Sequence, residues 1–111
     1  IMTHLIEHNF LNEERFARSF ARGKFNIKKW GKNRIVRELK FRGISRFNIN
    51  LALQEISEAE YVETFDKLAQ KQLEKIKEAS LLKKKKKLAD YLIYRGWEPE
   101  MVYDKVNELL L

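Results

Sequence analysis

Cysteine is absent from this sequence, proline occurs once and glycine four times. The missing cysteine excludes a disulfide framework and any cysteine-ligated metal, and fits a reducing compartment. No apolar run approaches the roughly 20 residues that a helix needs to cross a bilayer, and no signal-peptide pattern is present. No membrane partner is expected, and a cytoplasmic location is. Nothing reads as a strand, because the β-branched residues fall in helical registers. No phosphate-binding glycine loop and no nucleophile–base pair is visible, so neither enzymatic activity nor a cofactor is expected.

What is present is charge and apolar surface in globular proportion. Hydrophobic residues make up 44% and charged residues 35% of 111 positions, which suits one compact domain or two small units with a modest core. The net charge of +7 is unevenly spread. Residues 15–46 hold twelve Lys or Arg against a single acid, Glu38, while residues 1–14 and 47–82 are net acidic. A basic segment of this density is an electrostatic footprint for a polyanion.

One phrase occurs twice. Arg34-Ile35-Val36-Arg37-Glu38-Leu39-Lys40-Phe41-Arg42-Gly43-Ile44 returns, 53 residues on, as Lys87-Leu88-Ala89-Asp90-Tyr91-Leu92-Ile93-Tyr94-Arg95-Gly96-Trp97. The match continues through Ile49 with Val102, Leu53 with Val106 and Ile56 with Leu109. Such self-similarity at one offset marks a repeat protein. Each copy predicts a helix stopped at Arg-Gly, where glycine takes the left-handed conformation of a C-cap. A second helix follows, started by Ser45 as N-cap or by Pro99 at its first turn.

In chain order, residues 1–8 suggest a helix tail with Met2, Leu5 and Ile6 on one side. Ile1 falls inside that pattern, so the sequence is expected to be part of a longer chain. Asn9 to Asn12 is expected to break the helix, with Asn12 as the next N-cap. Helix A then spans about 13–25, with Phe16, Ala17, Phe20 and Ala21 facing inward and Arg15, Arg18 and Arg22 outward, and Gly23 as its weak point. Helix B covers about 32–42 and helix C about 46–57. The second copy opens with a longer helix over 58–79, striped by Tyr61, Val62, Phe65, Leu68, Ala69, Leu73 and Ile76. Helices over about 82–94 and 99–110 complete it. The expected fold is all-α: tandem three-helix, helix-turn-helix-like repeats in an elongated, curved array. Its expected divisions are 1–11 (the end of a preceding repeat), 12–57 and 58–111.

The candidate binding residues are Arg22, Lys24, Lys28, Lys29, Trp30, Lys32, Arg34, Arg37, Lys40 and Arg42. Lysine and arginine at this density suit phosphate contact, which supplies affinity without reading sequence. Trp30 has two readings, stacking on a base or packing against helix A. Arg42 and Arg95 also suit structural capping of helix ends, the better reading for Arg95, and Trp97 is expected in the core. Reversing charge at Arg34 and Arg37 is expected to remove binding while leaving the helices folded. The run Lys83–Lys87 points almost all round a helix and reads as a solvated helix start, with Lys85 snorkelling from the apolar side. His4-Leu5-Ile6-Glu7-His8 matches a zinc-protease spacing, but no third ligand and no cleft-forming sheet accompany it. No metal site is therefore expected.

Phe10-Leu11-Asn12-Glu13-Glu14-Arg15-Phe16-Ala17, followed by Lys32-Asn33-Arg34-Ile35-Val36-Arg37-Glu38-Leu39-Lys40-Phe41-Arg42-Gly43-Ile44, resembles the paired phrases of the RecX family, bacterial regulators of the RecA recombinase. Leu88, Tyr91, Leu92, Arg95, Gly96 and Trp97 meet the pattern of that family's third repeat. The departures are Asn9 for the usual glycine, Asn12 for the common aspartate, and Lys29-Trp30-Gly31-Lys32 for a Gly-Pro-Gly-like turn. The resemblance implies three tandem three-helix repeats, of which this chain would hold the second and third. It also implies a non-enzymatic monomer that binds the RecA filament and its DNA. Such a protein limits strand exchange, ATPase and co-protease activity in DNA repair and the SOS response. A nonspecific DNA-binding helical module is the alternative. Sequence-specific reading by helix C is disfavoured, because Asn48, Asn50 and Gln54 lie amid little positive charge and its second copy carries Glu100, Asp104 and Glu108. A scaffold for an acidic protein is the third reading.

Overall fold

In the computed structural model, residues 2–110 are described, with side chains from Glu13 to Leu110. The described residues form six α-helices and no strand: α1 (Met2–Gly23), α2 (Lys32–Phe41), α3 (Arg46–Leu53), α4 (Glu58–Lys75), α5 (Leu81–Tyr94) and α6 (Pro99–Leu109). A π-helical turn, Lys24–Lys28, joins α1 to the approach to α2. The molecule measures 63 × 24 × 21 Å with a radius of gyration of 17.0 Å, against about 13 Å for a compact chain of this length. It is an extended tandem of three-helix units.

The repeated phrase folds the same way twice. Gly43 and Gly96 have φ of +78° and +98°. In the first copy the Gly43 amide donates to Lys40 and the Ile44 amide to Leu39, both at 3.0 Å. In the second, Gly96 donates to Ile93 at 2.9 Å and Trp97 to Leu92 at 3.1 Å. These paired bonds occupy carbonyls that a helix end would otherwise leave unsatisfied. Helix starts are also chemically marked. Ser45, Ser57 and Ser80 each accept the amide three residues on, and Glu60 accepts the Ser57 hydroxyl in return. Pro99 opens α6.

Apolar stripes then meet. In the first unit α1 packs on α3, with Ala17, Ala21 and Ala52 fully buried beside Ile35, Leu39 and Ile49. Alanine lets two helix backbones approach closely at little cost in side-chain entropy. In the second, Leu88, Leu92, Val102 and Val106 are buried between α5 and α6.

The structure departs from the sequence reading in several places. Helix α1 runs through Asn9–Asn12 without a break. That stretch holds no proline or glycine, and asparagine costs a helix only a few tenths of a kcal/mol. The side-chain positions expected of Met2, Leu5 and Ile6, and the His4–His8 pair, lie outside the described side chains. Phe16 is exposed rather than inward, and the buried line of α1 runs through Ala17 and Ala21 to Phe25 at four-residue spacing. Helix α3 stops at Leu53, so Ser57 caps α4 instead of ending α3, and α4 stops at Lys75 because Ile76 turns extended. Val62 is exposed.

The glycines carry different loads. A Cβ on Gly31 would sit 2.4 Å from the Gly96 carbonyl oxygen, whereas a Cβ on Gly43 would meet nothing within 4 Å. Gly31→Ala is expected to destabilise by about 2 kcal/mol or more, as backbone must move to relieve the overlap. Gly43→Ala should cost only the left-handed strain of about 1–2 kcal/mol. Equal losses in urea titrations would refute this ranking.

The carboxylate of Glu13 accepts the Ser45 amide at 2.6 Å and the side chain of the buried Asn48 at 3.1 Å. The Ser45 backbone bond first, and Asn48 second, hold Glu13 below its ordinary 4.5. A depressed carboxylate stabilises the fold above its unfolded pKa, and that stabilisation is lost as pH falls through the lower folded value. Glu13→Gln should therefore melt earlier than the parent at pH 7 and converge on it in acid. A gap unchanged down to pH about 3 would assign the effect to something other than the charge.

Candidate nucleic-acid interface and the joint beneath it

The first turn of α2 has no cap of its own. Gly31 donates to the Arg95 carbonyl at 2.8 Å and Asn33 to the Gly96 carbonyl at 3.0 Å. Between them the Lys32 amide donates to the Tyr61 hydroxyl at 2.8 Å. Every one of these acceptors belongs to the second unit, so the positive end of α2 sits on the negative end of α5.

Side chains seal the same joint. Phe25 stacks on Tyr61 at 5.9 Å, and Tyr61 and Phe65 lie 4.6 and 5.1 Å from the fully buried Trp97. Trp97 donates its indole N–H to the Lys29 carbonyl at 3.2 Å. Lys29, which ends the π-helical turn, holds φ of 59°, the left-handed region. The Arg95 guanidinium donates to the Lys28 carbonyl. Arg95 is thus structural, as a strut to the first unit rather than a cap of α5. Arg34 donates to the Tyr94 carbonyl at 3.3 Å and lies 4.3 Å from the Trp30 ring and 4.9 Å from that of Tyr94. Its Nε is buried without a partner among the described residues.

The binding residues named from sequence fall into four groups. Arg22 turns to α3, where it and Arg18 pair with Glu55, at 2.8 and 3.7 Å. Lys24, Trp30 and Arg42 gather around Phe20, and Arg34 lies against Trp30 on the side of the joint. Trp30 packs edge-on to Phe20 at 6.1 Å, Lys24 lies 5.0 Å from the Trp30 ring, and Arg42 lies 4.8 Å from Phe20 while pairing with Glu38. Lys32 covers the Tyr61 ring at 4.5 Å. Lys28, Lys29, Arg37 and Lys40 are exposed and make no ion pair among the described residues. Of these, Arg37 and Lys40 are three apart on α2 and share a face. In the lysine run of α5, Lys85 is half-buried, Lys86 pairs with Asp90 and Lys87 with Glu78.

Adjacent stretches of the sequence match two models of one family: residues 12–53 match the second three-helix domain of RecX, and residues 58–106 the third. The chain belongs to the RecX family. It is 30% identical over 110 residues to the regulatory protein RecX of Clostridioides difficile, covering 99% of this chain and 52% of that protein. It is 26% identical over 109 residues to the regulatory proteins RecX of Bacillus cytotoxicus and Bacillus cereus, covering 98% of this chain and 40% of each relative. This RecX-family chain therefore spans about half the length, or less, of these relatives. No solved structure matches it.

Sequence reasoning did not find Tyr61, Phe25 and Gly31 as joint residues, nor Glu55 as the acid that neutralises Arg22. The pairing of Glu38 with Arg42 was not drawn from sequence either, although its four-residue spacing is a signal that could have found it. Glu55 lies 33 residues from Arg22, and no local pattern links the two.

Tyr61 also donates to Glu98. Burial first, and Glu98 second, push the phenol well above its ordinary 10.0, so it stays a donor throughout the neutral range. Tyr61→Phe strands the Lys32 amide and the Glu98 carboxylate together. It should cost about 1–3 kcal/mol in urea unfolding. A change within error would mean that solvent replaces the hydroxyl.

Proposed function

We propose that this chain is a non-enzymatic regulator that binds the RecA recombinase filament on DNA and mainly inhibits strand exchange, ATPase and co-protease activity. The observation that carries the reading is the set of basic side chains on and before α2, Lys28, Lys29, Arg37 and Lys40, held exposed and free of carboxylates among the described residues. The relatives carry the name regulatory protein, which agrees with it. Free cations on an extended scaffold suit phosphate or acidic protein spaced along a filament, where several weak contacts multiply. Helix α3 suits base reading poorly, since Asn48 is buried against Glu13.

Arg34 sits in the joint, so reversing it together with Arg37 does not isolate the surface. Reversing Arg34 would break its carbonyl bond and put a carboxylate between two rings, so loss of binding would be confounded with loss of packing. Arg37→Glu with Lys40→Glu avoids this. The pair should leave helical signal and melting unchanged. It should weaken binding to filament by about tenfold or more, with the salt slope falling by about 0.7 for each lost single-strand phosphate contact. Titration against bare single-stranded DNA, RecA alone and RecA filament, at two salt concentrations, reads it out. Unchanged binding by the folded variant would remove this face from the contact. Equal, steeply salt-sensitive binding to bare DNA would favour the nonspecific module.

A further inference from the structure

Among the described residues, Lys29 is the one non-glycine residue with positive φ. An L side chain is strained there, and glycine is not. The joint explains the backbone: the left-handed turn aims the Lys29 carbonyl at the Trp97 indole, 3.2 Å away. It does not explain the side chain, since glycine would place the same carbonyl equally well. A strained residue kept where glycine suffices points to a use for its side chain.

That side chain lines a cleft of about 320 Å³ together with Thr64, Lys67, Leu68 and Lys71. Those four belong to α4, so the cleft spans the joint and takes one wall from each unit. Thr64, Lys67 and Lys71 follow one another at three- and four-residue spacing and share a face of the helix. Thr64 and Leu68 are half-buried and make the floor, and the three lysines stand exposed around it.

Most of the cleft's charge is unspent. Among the described residues, Lys29 and Lys71 meet no carboxylate. Lys67 meets Glu63 at 2.9 Å, but both side chains are largely exposed, and such a pair is worth little. Asp66 of the same helix is turned to Lys105 of α6, at 2.8 Å. The stretch 47–82 is net acidic, yet helical spacing gathers two of its lysines on the side that meets Lys29.

We propose that this cleft holds a phosphate of a nucleic-acid strand passing from the first unit to the second. The three ammonium groups supply charge, and the Thr64 hydroxyl supplies a donor for a phosphate oxygen. No aromatic ring lines the cleft, so it holds backbone and leaves the base unread. Lysine is depleted from the cores of protein–protein interfaces and is a usual partner of phosphate, which favours a strand over an acidic protein segment. The proposal rests on the reading that this chain's exposed cations meet phosphate, and it carries the path from Arg37 and Lys40 of α2 across the joint to α4.

The test titrates the isotope-labelled chain with a single-stranded oligodeoxynucleotide and follows its backbone amides. Those of Thr64, Lys67 and Lys71 should shift. Lys29→Gly should melt no lower than the parent, because it removes strain and keeps the carbonyl. It should nevertheless bind about threefold or more weakly, with the salt slope lower by about 0.7 for the lost phosphate contact. Lys67→Gln with Lys71→Gln, at exposed positions, should weaken binding by about tenfold with melting unchanged. This pair decides alone if the glycine variant melts early. Lys83→Gln, at the exposed start of α5, is the charge control and should bind as the parent does. Loss of binding in Arg37→Glu with Lys40→Glu, beside full binding by the cleft variants, would overturn the cleft and leave the α2 face standing. Silent α4 amides overturn it as well, as do equal losses in Lys83→Gln and the cleft variants, which would reduce the effect to net charge. Shifts at these amides with an aspartate-rich peptide and none with the oligonucleotide would assign the cleft to acidic protein instead.

Discussion

The contact on which this molecule depends is between two backbones. Gly31 and Gly96 meet with no side chain between them, and the close approach lets the carbonyl end of α5 cap the amide end of α2 directly. Nothing larger than a hydrogen fits at either position. The rest of the joint follows from that distance. Tyr61 can reach the Lys32 amide, Trp97 the Lys29 carbonyl and Arg95 the Lys28 carbonyl only because the helix ends are already abutted.

This arrangement ties the folding of the two units together. An isolated helix start must find partners for its first amides, from a side-chain cap or water. Helix α2 finds them in the second unit, and Phe25 of the first unit lies in the aromatic cluster of the second. In a repeat array, stability divides into the intrinsic worth of each unit and the worth of its interfaces. Here the interface term is large, because it includes a helix cap, an aromatic cluster and a buried indole bond. The left-handed Lys29 belongs to the same balance: its strain sets the direction of the carbonyl that Trp97 uses.

The repeat, the glycine caps and the helical stripes were legible in the sequence because each is local or periodic. Arg42-Gly43 and Arg95-Gly96 announce themselves within one turn. Trp97 was legible as core because it replaces Ile44 in the second copy. The continuity of α1 was not, since asparagines read as breakers are tolerated where nothing opposes the helix. The π-helical turn at Lys24–Lys28 was hidden too, because no residue type marks it. The split of the basic segment into paired, packed and free charges was least legible. Glu38 stands four residues before Arg42, a spacing that could have marked the pair, but Glu55 reaches Arg22 only through the packing of α1 on α3, and Tyr94 reaches Arg34 only across the joint.

That split bears on how a basic surface is to be weighed. Twelve cations against one acid suggests a uniform field, yet a cation buried under a ring or paired with a carboxylate has already used much of its interaction with charge. Exposed lysines and arginines without partners keep theirs for a phosphate, whose neutralisation releases condensed counterions and favours binding at low salt. Arg34 is the sharpest case. It lies mid-segment and fits the basic pattern as well as any residue, but its guanidinium is enclosed by Trp30 and Tyr94 and bonded to a carbonyl. It serves the joint, and the joint in turn holds α2 as a straight, capped rod on which Arg37 and Lys40 project to one side. The structural arginine and the two cations that are unpaired among the described residues are therefore linked: the first helps fix the helix that carries the others.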